Sequence, residues 1–359
     1  MGQRLLRVGR KGKALLRALL CRLAKAKPLT QEELQSRWRH ARRALLLCGA
    51  GLGDALMATP LLLALQQSRP QKEIAVVASE RAAAVFAPFG IRLFQYREGI
   101  LGILTLPWVL WRCWSFKADI FLGAQPANTL RHSLIAAVSR ARFRVKHAFP
   151  PTTEPERDLS CIYHQLLPLR PSRHRVEANL DLLRTFGEHI PEGSLYPSYP
   201  IPEAARWRAQ QLLPKARLVA LHPGSGRAEK RWGDEGFMAV GRWLQAQGYT
   251  IVLVGGREEQ GLARTLTRAL APTTINLIGK TSVPETAAIL SRCCLLICND
   301  SGLMHLAVAV GTPVVAIFVS TDPCHIGPYS PSAVTLGHGR GSPPTVEEVL
   351  QALQQCLRG

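Results

Sequence analysis

The stretch Cys298-Asn299-Asp300-Ser301-Gly302-Leu303-Met304-His305, running on to Gly311-Thr312-Pro313, decides the fold. Before it stands the apolar run Cys293 to Ile297 and after it Val314 to Phe318, each short enough for a buried parallel strand. Strand, turn, helix and strand in that order make one right-handed crossover unit of an open α/β sheet. Asp300, Ser301 and Gly302 then fall at the carboxyl end of a strand, where such sheets collect ligands. Backbone N–H groups at the helix start, a serine hydroxyl and a glycine without a side chain suit a phosphate or diphosphate. His305, one turn further on, would face the same anion. The competing reading is local: Asp300 or Ser301 caps the helix and His305 is an ordinary surface histidine.

Working outward, the same alternation repeats along the chain. Arg217 to Leu221 is a strand leading into His222-Pro223-Gly224-Ser225-Gly226 and a basic loop with Lys230. Thr250 to Val254 leads into Gly255-Gly256-Arg257-Glu258-Glu259, and Ile275 to Lys280 precedes a helix from Val283 that Thr281 or Ser282 caps. In the first half, Ala44 to Cys48 is a strand followed by Gly49-Ala50-Gly51-Leu52-Gly53-Asp54, and Ala55 to Leu65 reads as one helix. The GxGxG spacing departs from the dinucleotide fingerprint, and no acidic residue ends the next strand, Ile74 to Ala78. Asp54 is placed either as a general base or as a helix cap. Pro191 to Pro202 is the expected domain boundary. Two α/β halves facing a cleft are expected, with an acceptor-side loop containing Gly51, Gly53 and Thr59.

The 359 residues carry a formal net charge of +20, with 47% hydrophobic and 19% charged residues, which excludes a disordered chain. No apolar run reaches the ~18 residues of a membrane span; the nearest, Ile100 to Trp114, is broken by Pro107 and Arg112. Residues 1–43 hold thirteen Lys or Arg against Glu32 and Glu33, beside an apolar stripe that includes Leu5, Leu6, Leu15, Leu16, Leu19 and Leu20. This basic amphipathic extension reads as an element for an anionic membrane surface, with nucleic acid as a rival partner and a solvated tail as the simplest alternative. It lacks the uninterrupted apolar core and cleavage site of a secretory signal. Nine cysteines without CxxC pairs read as small buried hydrophobes in a reducing compartment, with no disulfide framework and no zinc site.

The order of these loops resembles glycosyltransferase family 9, the heptosyltransferases of lipopolysaccharide synthesis. The resemblance rests on Asn276 to Ser282, on Asp300 to Ala307 with Gly311-Thr312-Pro313, and on Gly53-Asp54 followed by Thr59-Pro60. It implies a GT-B fold of two Rossmann-like doubly wound domains: residues 44–200 for the acceptor, 201–345 for the nucleotide sugar, and a last helix, 346–359, packing back across. It implies inverting, metal-independent transfer of heptose from ADP-heptose to a lipid A–core acceptor by a cytoplasmic protein peripheral on the inner membrane face. Asp54 matches the proposed base, Lys230 the phosphate-contacting lysine, and Glu258 or Glu259 the acidic position near the ribose. Ser225, Asp300, Ser301, Gly302, Leu303 and His305 match the donor side. No Asp-x-Asp occurs in the chain, so a metal-chelating transferase is not expected. The competing functions are a nucleotide-dependent oxidoreductase using the Gly49 to Gly53 loop and a non-catalytic binding protein working through its basic extension.

Overall fold

Apolar runs bounded by glycine and proline build strands that are buried on both faces, and parallel pairing follows when helices return the chain between them. The computed structural model describes residues 18–49, 51–68, 70–98, 101–124, 129–148, 159–168, 170, 172–338 and 342–358. The chain divides into two compact units between Leu195 and Tyr196. The first contains β1 (Arg43–Leu47), β2 (Glu73–Ser79), β3 (Arg92–Tyr96), β4 (Ile120–Gly123), β5 (Phe143–Ala148) and β6 (Gln165–Pro168), in the order β3-β2-β1-β4-β5-β6. The second contains β7 (Leu218–His222), β8 (Thr250–Leu253), β9 (Thr274–Asn276), β10 (Leu295–Asn299), β11 (Val314–Ile317) and β12 (Ala333–Leu336), in the order β12-β11-β10-β7-β8-β9. Every pairing in both sheets is parallel.

Strand order reverses direction between β1 and β4 in the first sheet and between β7 and β10 in the second. Those reversals are where an open sheet leaves a crevice beyond its strand ends. In the second sheet Cys298 of β10 is in register with His222 of β7. The loops that follow these two strands therefore start side by side.

Several expectations from sequence are corrected. The helix expected from Ala55 to Leu65 is two, Leu52–Met57 and Thr59–Ser68. Pro60 has no N–H to return to Leu56, and the Thr59 hydroxyl donates to the Leu56 carbonyl instead, at 2.7 Å. Thr59 is fully buried in that junction. The extension of residues 1–43 is not one separate piece. Helix Gln31–His40 belongs to the body of the first unit: Trp38 is buried and stacks on Phe186 at 4.9 Å, and its Nε1 donates to Glu188 Oε1 at 2.6 Å. The earlier part of the extension, residues 1–17 with Leu5, Leu6, Leu15 and Leu16, lies outside the described residues.

The cysteines are also corrected. Cys21 and Cys161 form a disulfide across 140 residues of sequence, and Cys294 and Cys324 are exposed thiols. Spacing alone gave no hint of the pair, because its two halves meet only through the tertiary fold. Finally, helix Val346–Arg358 packs on the second unit itself, with Val349 and Leu353 in the same core cluster as Val240, Ile297 and Ile317.

Candidate functional site

In the second unit, β10 ends at Asn299 and helix Gly302–Ala309 begins two residues later. Ser301 is its N-cap, with extended backbone at φ −156° and ψ 168°, yet its side chain makes no capping hydrogen bond. The Ser301 Oγ is buried and meets no partner among the described residues. The first-turn N–H groups, which concentrate the positive end of the helix dipole, are thus left without a side-chain acceptor from the cap. Ser301 therefore holds the cap position, as one of the local readings had it, but makes no capping bond from its side chain.

Asp300 does other work. Its buried carboxylate accepts from Lys230 Nζ at 2.5 Å and from Thr321 Oγ1 at 2.7 Å, while its carbonyl accepts from Ser225 Oγ at 2.9 Å. Asn299 adds a second tie between the same loops: its Nδ2 donates to Pro223 O at 2.7 Å and its Oδ1 accepts from Trp232 N at 3.0 Å. Lys230 is consequently held against the start of the helix by a carboxylate, where a loop cation would otherwise be free to swing. His305, the fourth residue of that helix, is buried and not on the surface. Gly302 and Leu303 stay half-buried at the helix start.

The two glutamates separate. Glu258 is exposed, whereas Glu259 is buried: its Oε2 accepts from Gly256 N at 2.9 Å and lies 3.7 Å from His222 Nδ1. A Cβ on Gly224 would fall 1.6 Å from Glu259 Oε1, and one on Gly255 2.3 Å from Oε2. Glu259 thus braces the loops after β7 and β8 from within, and Glu258 is the carboxylate open to solvent.

In the first unit, Asp54 is the third residue of helix Leu52–Met57, with Gly51 as N-cap and Gly53 inside the first turn. It is not the cap. Its Oδ1 pairs with Arg175 Nη1, both side chains being about a quarter exposed (21% and 26%). Gly51 allows the approach, since a Cβ there would stand 3.1 Å from Asp54 Oδ2. One turn beyond Arg175, Asn179 Nδ2 donates to Met57 O at 3.2 Å. Helix Arg175–Arg184 therefore fixes both ends of the short helix that carries Asp54. Ala50, in the glycine loop, is outside the described residues. β2 runs on to Ser79, so Glu80 does follow it directly, against the sequence expectation; its carboxylate lies 3.6 Å from Arg97.

The two loops share one more trait. Cys48, after β1, and Cys298, in β10, are fully buried; burial first, and then the nearby Asp54 or Asp300 carboxylate, pushes each thiol far up. Both stay protonated at neutral pH and neither is a nucleophile.

A family model described as glycosyltransferase family 9 (heptosyltransferase) matches residues 133–354. The chain belongs to glycosyltransferase family 9. Two similar relatives are the lipooligosaccharide heptosyltransferase 2 of Haemophilus influenzae, 31% identical over 131 residues, 35% of this chain and 38% of that protein, and the lipopolysaccharide heptosyltransferase 3 of Escherichia coli, 30% identical over 185 residues, 49% of this chain and 53% of that protein. In both, the match spans less than two thirds of the relative. The structure of the E. coli ADP-heptose lps heptosyltransferase II superposes with a TM-score of 0.73 at 21% identity, covering 88% of this chain and 98% of that one. At that identity the likeness carries the fold alone: two six-stranded Rossmann-like sheets, the makeup of GT-B.

Within this glycosyltransferase family 9 chain, Ser225, Lys230, Asp300, Ser301, Gly302 and Leu303 come together around one helix start, and Glu259 braces the loops beside it. Thr59 is buried at the junction of two helices in the first unit. Reading the sequence missed Arg175, Asn299 and Thr321. Asn299 and Thr321 carried a signal, since each is a polar residue at or just past the carboxyl end of a core strand. Arg175 carried none: it is 121 residues from the aspartate it holds.

Proposed function

We propose that this chain is an inverting, metal-independent glycosyltransferase that moves heptose from ADP-heptose onto the lipopolysaccharide core or a related lipid-linked saccharide. The donor and acceptor are carried over from its relatives, heptosyltransferases of lipopolysaccharide and lipooligosaccharide and an ADP-heptose lps heptosyltransferase. The observation that carries the reading is the open start of helix Gly302–Ala309, with the unpartnered Ser301 hydroxyl beside the Lys230–Asp300 pair. Such a site accepts a diphosphate through backbone N–H groups, a hydroxyl and one ammonium.

In this reading the second unit takes the donor and the first the acceptor. Asp54 removes the proton from the acceptor hydroxyl as that oxygen attacks the anomeric carbon from the face opposite the diphosphate. The bond from carbon to diphosphate oxygen breaks, and the charge that develops there is met by the helix N–H groups and Lys230, already in place before the reaction. Arg175 keeps the Asp54 carboxylate aimed. Glu258 takes the ribose hydroxyls, Ser225 and Asp300 hold the loop, and His305 lies behind it. The protein works in the cytoplasm, on the inner face of the membrane, with residues 1–43 attracted to anionic lipid. No helix among the described residues is long and apolar enough to cross a membrane.

Two measurements test this. A panel of nucleotide sugars should raise the unfolding temperature selectively, with ADP-heptose the largest effect. Asp54→Asn should keep that stabilisation while transfer falls by about 10²- to 10⁴-fold; undiminished transfer would refute the base assignment.

A further inference from the structure

Helix Leu101–Phe116 has the sequence LGILTLPWVLWRCWSF, in which Arg112 is the one charged residue. Val109, Cys113 and Phe116 point into the core of the first unit. On the opposite side Leu104 is 76% exposed, Trp108 50%, Trp111 56% and Trp114 45%. Steps of four, three and three residues keep these four on one face, along about three turns. A helix usually turns polar residues outward; this one turns tryptophan outward.

The rim of that face is cationic. The Arg112 guanidinium lies 5.1 Å from the Trp108 ring centroid, and that of Arg140 lies 5.7 Å from Trp114. Lys117 follows the helix and is exposed, and no carboxylate occurs between Glu98 and Asp119. On the same side of the first sheet, Ala24 packs on the core cluster that holds Val109 and Cys113. The turn before it exposes Leu19 and Leu23 beside Arg22 and Lys25.

The geometry points to helix Leu101–Phe116 as an in-plane membrane anchor, with the Leu104–Trp108–Trp111–Trp114 face in the headgroup boundary of an anionic bilayer and Arg112 and Arg140 on its phosphates. Tryptophan is the side chain that favours this boundary, an apolar ring with one polar edge. Sixteen residues make about 24 Å of helix, too short to span and suited to lying in the plane. Charge decides against a second copy of the chain on this face. A two-fold contact would set Arg112 and Arg140 of one copy against the same cations of the other. An anionic surface pairs with them instead. This anchor rests on the helix of residues 101–116 itself, and it stands whether or not the donor reading does.

Full-length protein and a Trp108→Gln/Trp111→Gln double variant are to be compared by co-sedimentation with vesicles of phosphatidylcholine alone and with 40% phosphatidylglycerol, without nucleotide or sugar acceptor. Because both proteins keep residues 1–43, any difference belongs to the helix. The wild type is expected to partition onto the anionic vesicles at least about tenfold more strongly than the variant, with its tryptophan fluorescence quenched by lipid brominated near the headgroup. Leu104→Glu, at a position open to solvent, should weaken binding in the same direction with no loss of unfolding temperature. Equal partitioning of wild type and both variants overturns the proposal. So does a wild type that is dimeric in solution, becomes monomeric on the double substitution and shows no fluorescence quenching by lipid.

Discussion

Two serines of the second unit open helices, and they do opposite things. Ser282 begins helix Val283–Leu290 with a complete capping box: its hydroxyl accepts from Glu285 N, and the Glu285 carboxylate accepts from Ser282 N at 2.8 Å. Ser301 begins helix Gly302–Ala309 with no side-chain capping bond, its hydroxyl buried and unmatched among the described residues. The first helix satisfies its own end within four residues. The second leaves its end to something else, and the neighbouring loops spend Asp300, Thr321, Ser225 and Asn299 on holding it that way. An uncapped start on a helix so well supported is a feature of the site, because a cap there would occupy the groups a diphosphate needs.

The comparison breaks most forcefully at Asp300. Replacing it with alanine strips Lys230, 18% exposed, of its carboxylate and frees the Thr321 hydroxyl. The second unit should lose about 3 kcal/mol in denaturant unfolding, and a loss under about 1 kcal/mol would show the pair to be incidental. Ser282→Ala should cost about 1 kcal/mol and leave nucleotide binding, measured by calorimetry, untouched. Ser301→Ala should reverse that pattern, with stability within about 0.5 kcal/mol of wild type and nucleotide affinity about three- to tenfold lower. The smallest effect is one of pH. The backbone and hydroxyl of Ser282 hold the Glu285 carboxyl below its ordinary value of 4.5. A lowered folded-state value means the capping box stabilises above that pH and is lost as pH falls through the lower value. The stability difference between wild type and Ser282→Ala should therefore shrink below pH 4.5, while that for Ser301→Ala stays flat.

The same contrast explains what could be read from the chain. The Ser282–Glu285 box is closed within four residues, and the apolar runs of β1, β7 and β10 with their glycine loops are equally local, so the two parallel sheets and the loops at their ends were legible. What was not legible joins distant segments. Arg175 reaches Asp54 over 121 residues, Cys21 reaches Cys161 over 140, and Trp38 stacks on Phe186 to draw the basic extension into the body. The break between the helices at Ala58 was present in Thr59-Pro60, but an apolar pattern running across it concealed it. Glu258 and Glu259 could not be told apart by type or neighbours; only the space beside Gly224 and Gly255 separates them.

That space has a consequence for how the chain can change over generations. The Glu259 carboxylate fills the room that side chains at positions 224 and 255 would take, so these three residues are one unit of inheritance. A first step to alanine at 224 meets the carboxylate head-on and is disfavoured while glutamate stands at 259. A lineage that shortens residue 259 first opens the way to the other two. Among descendants of this sequence, a side chain at 224 should therefore appear mainly where residue 259 has become smaller or its carboxylate has left the Gly256 N–H it now accepts from.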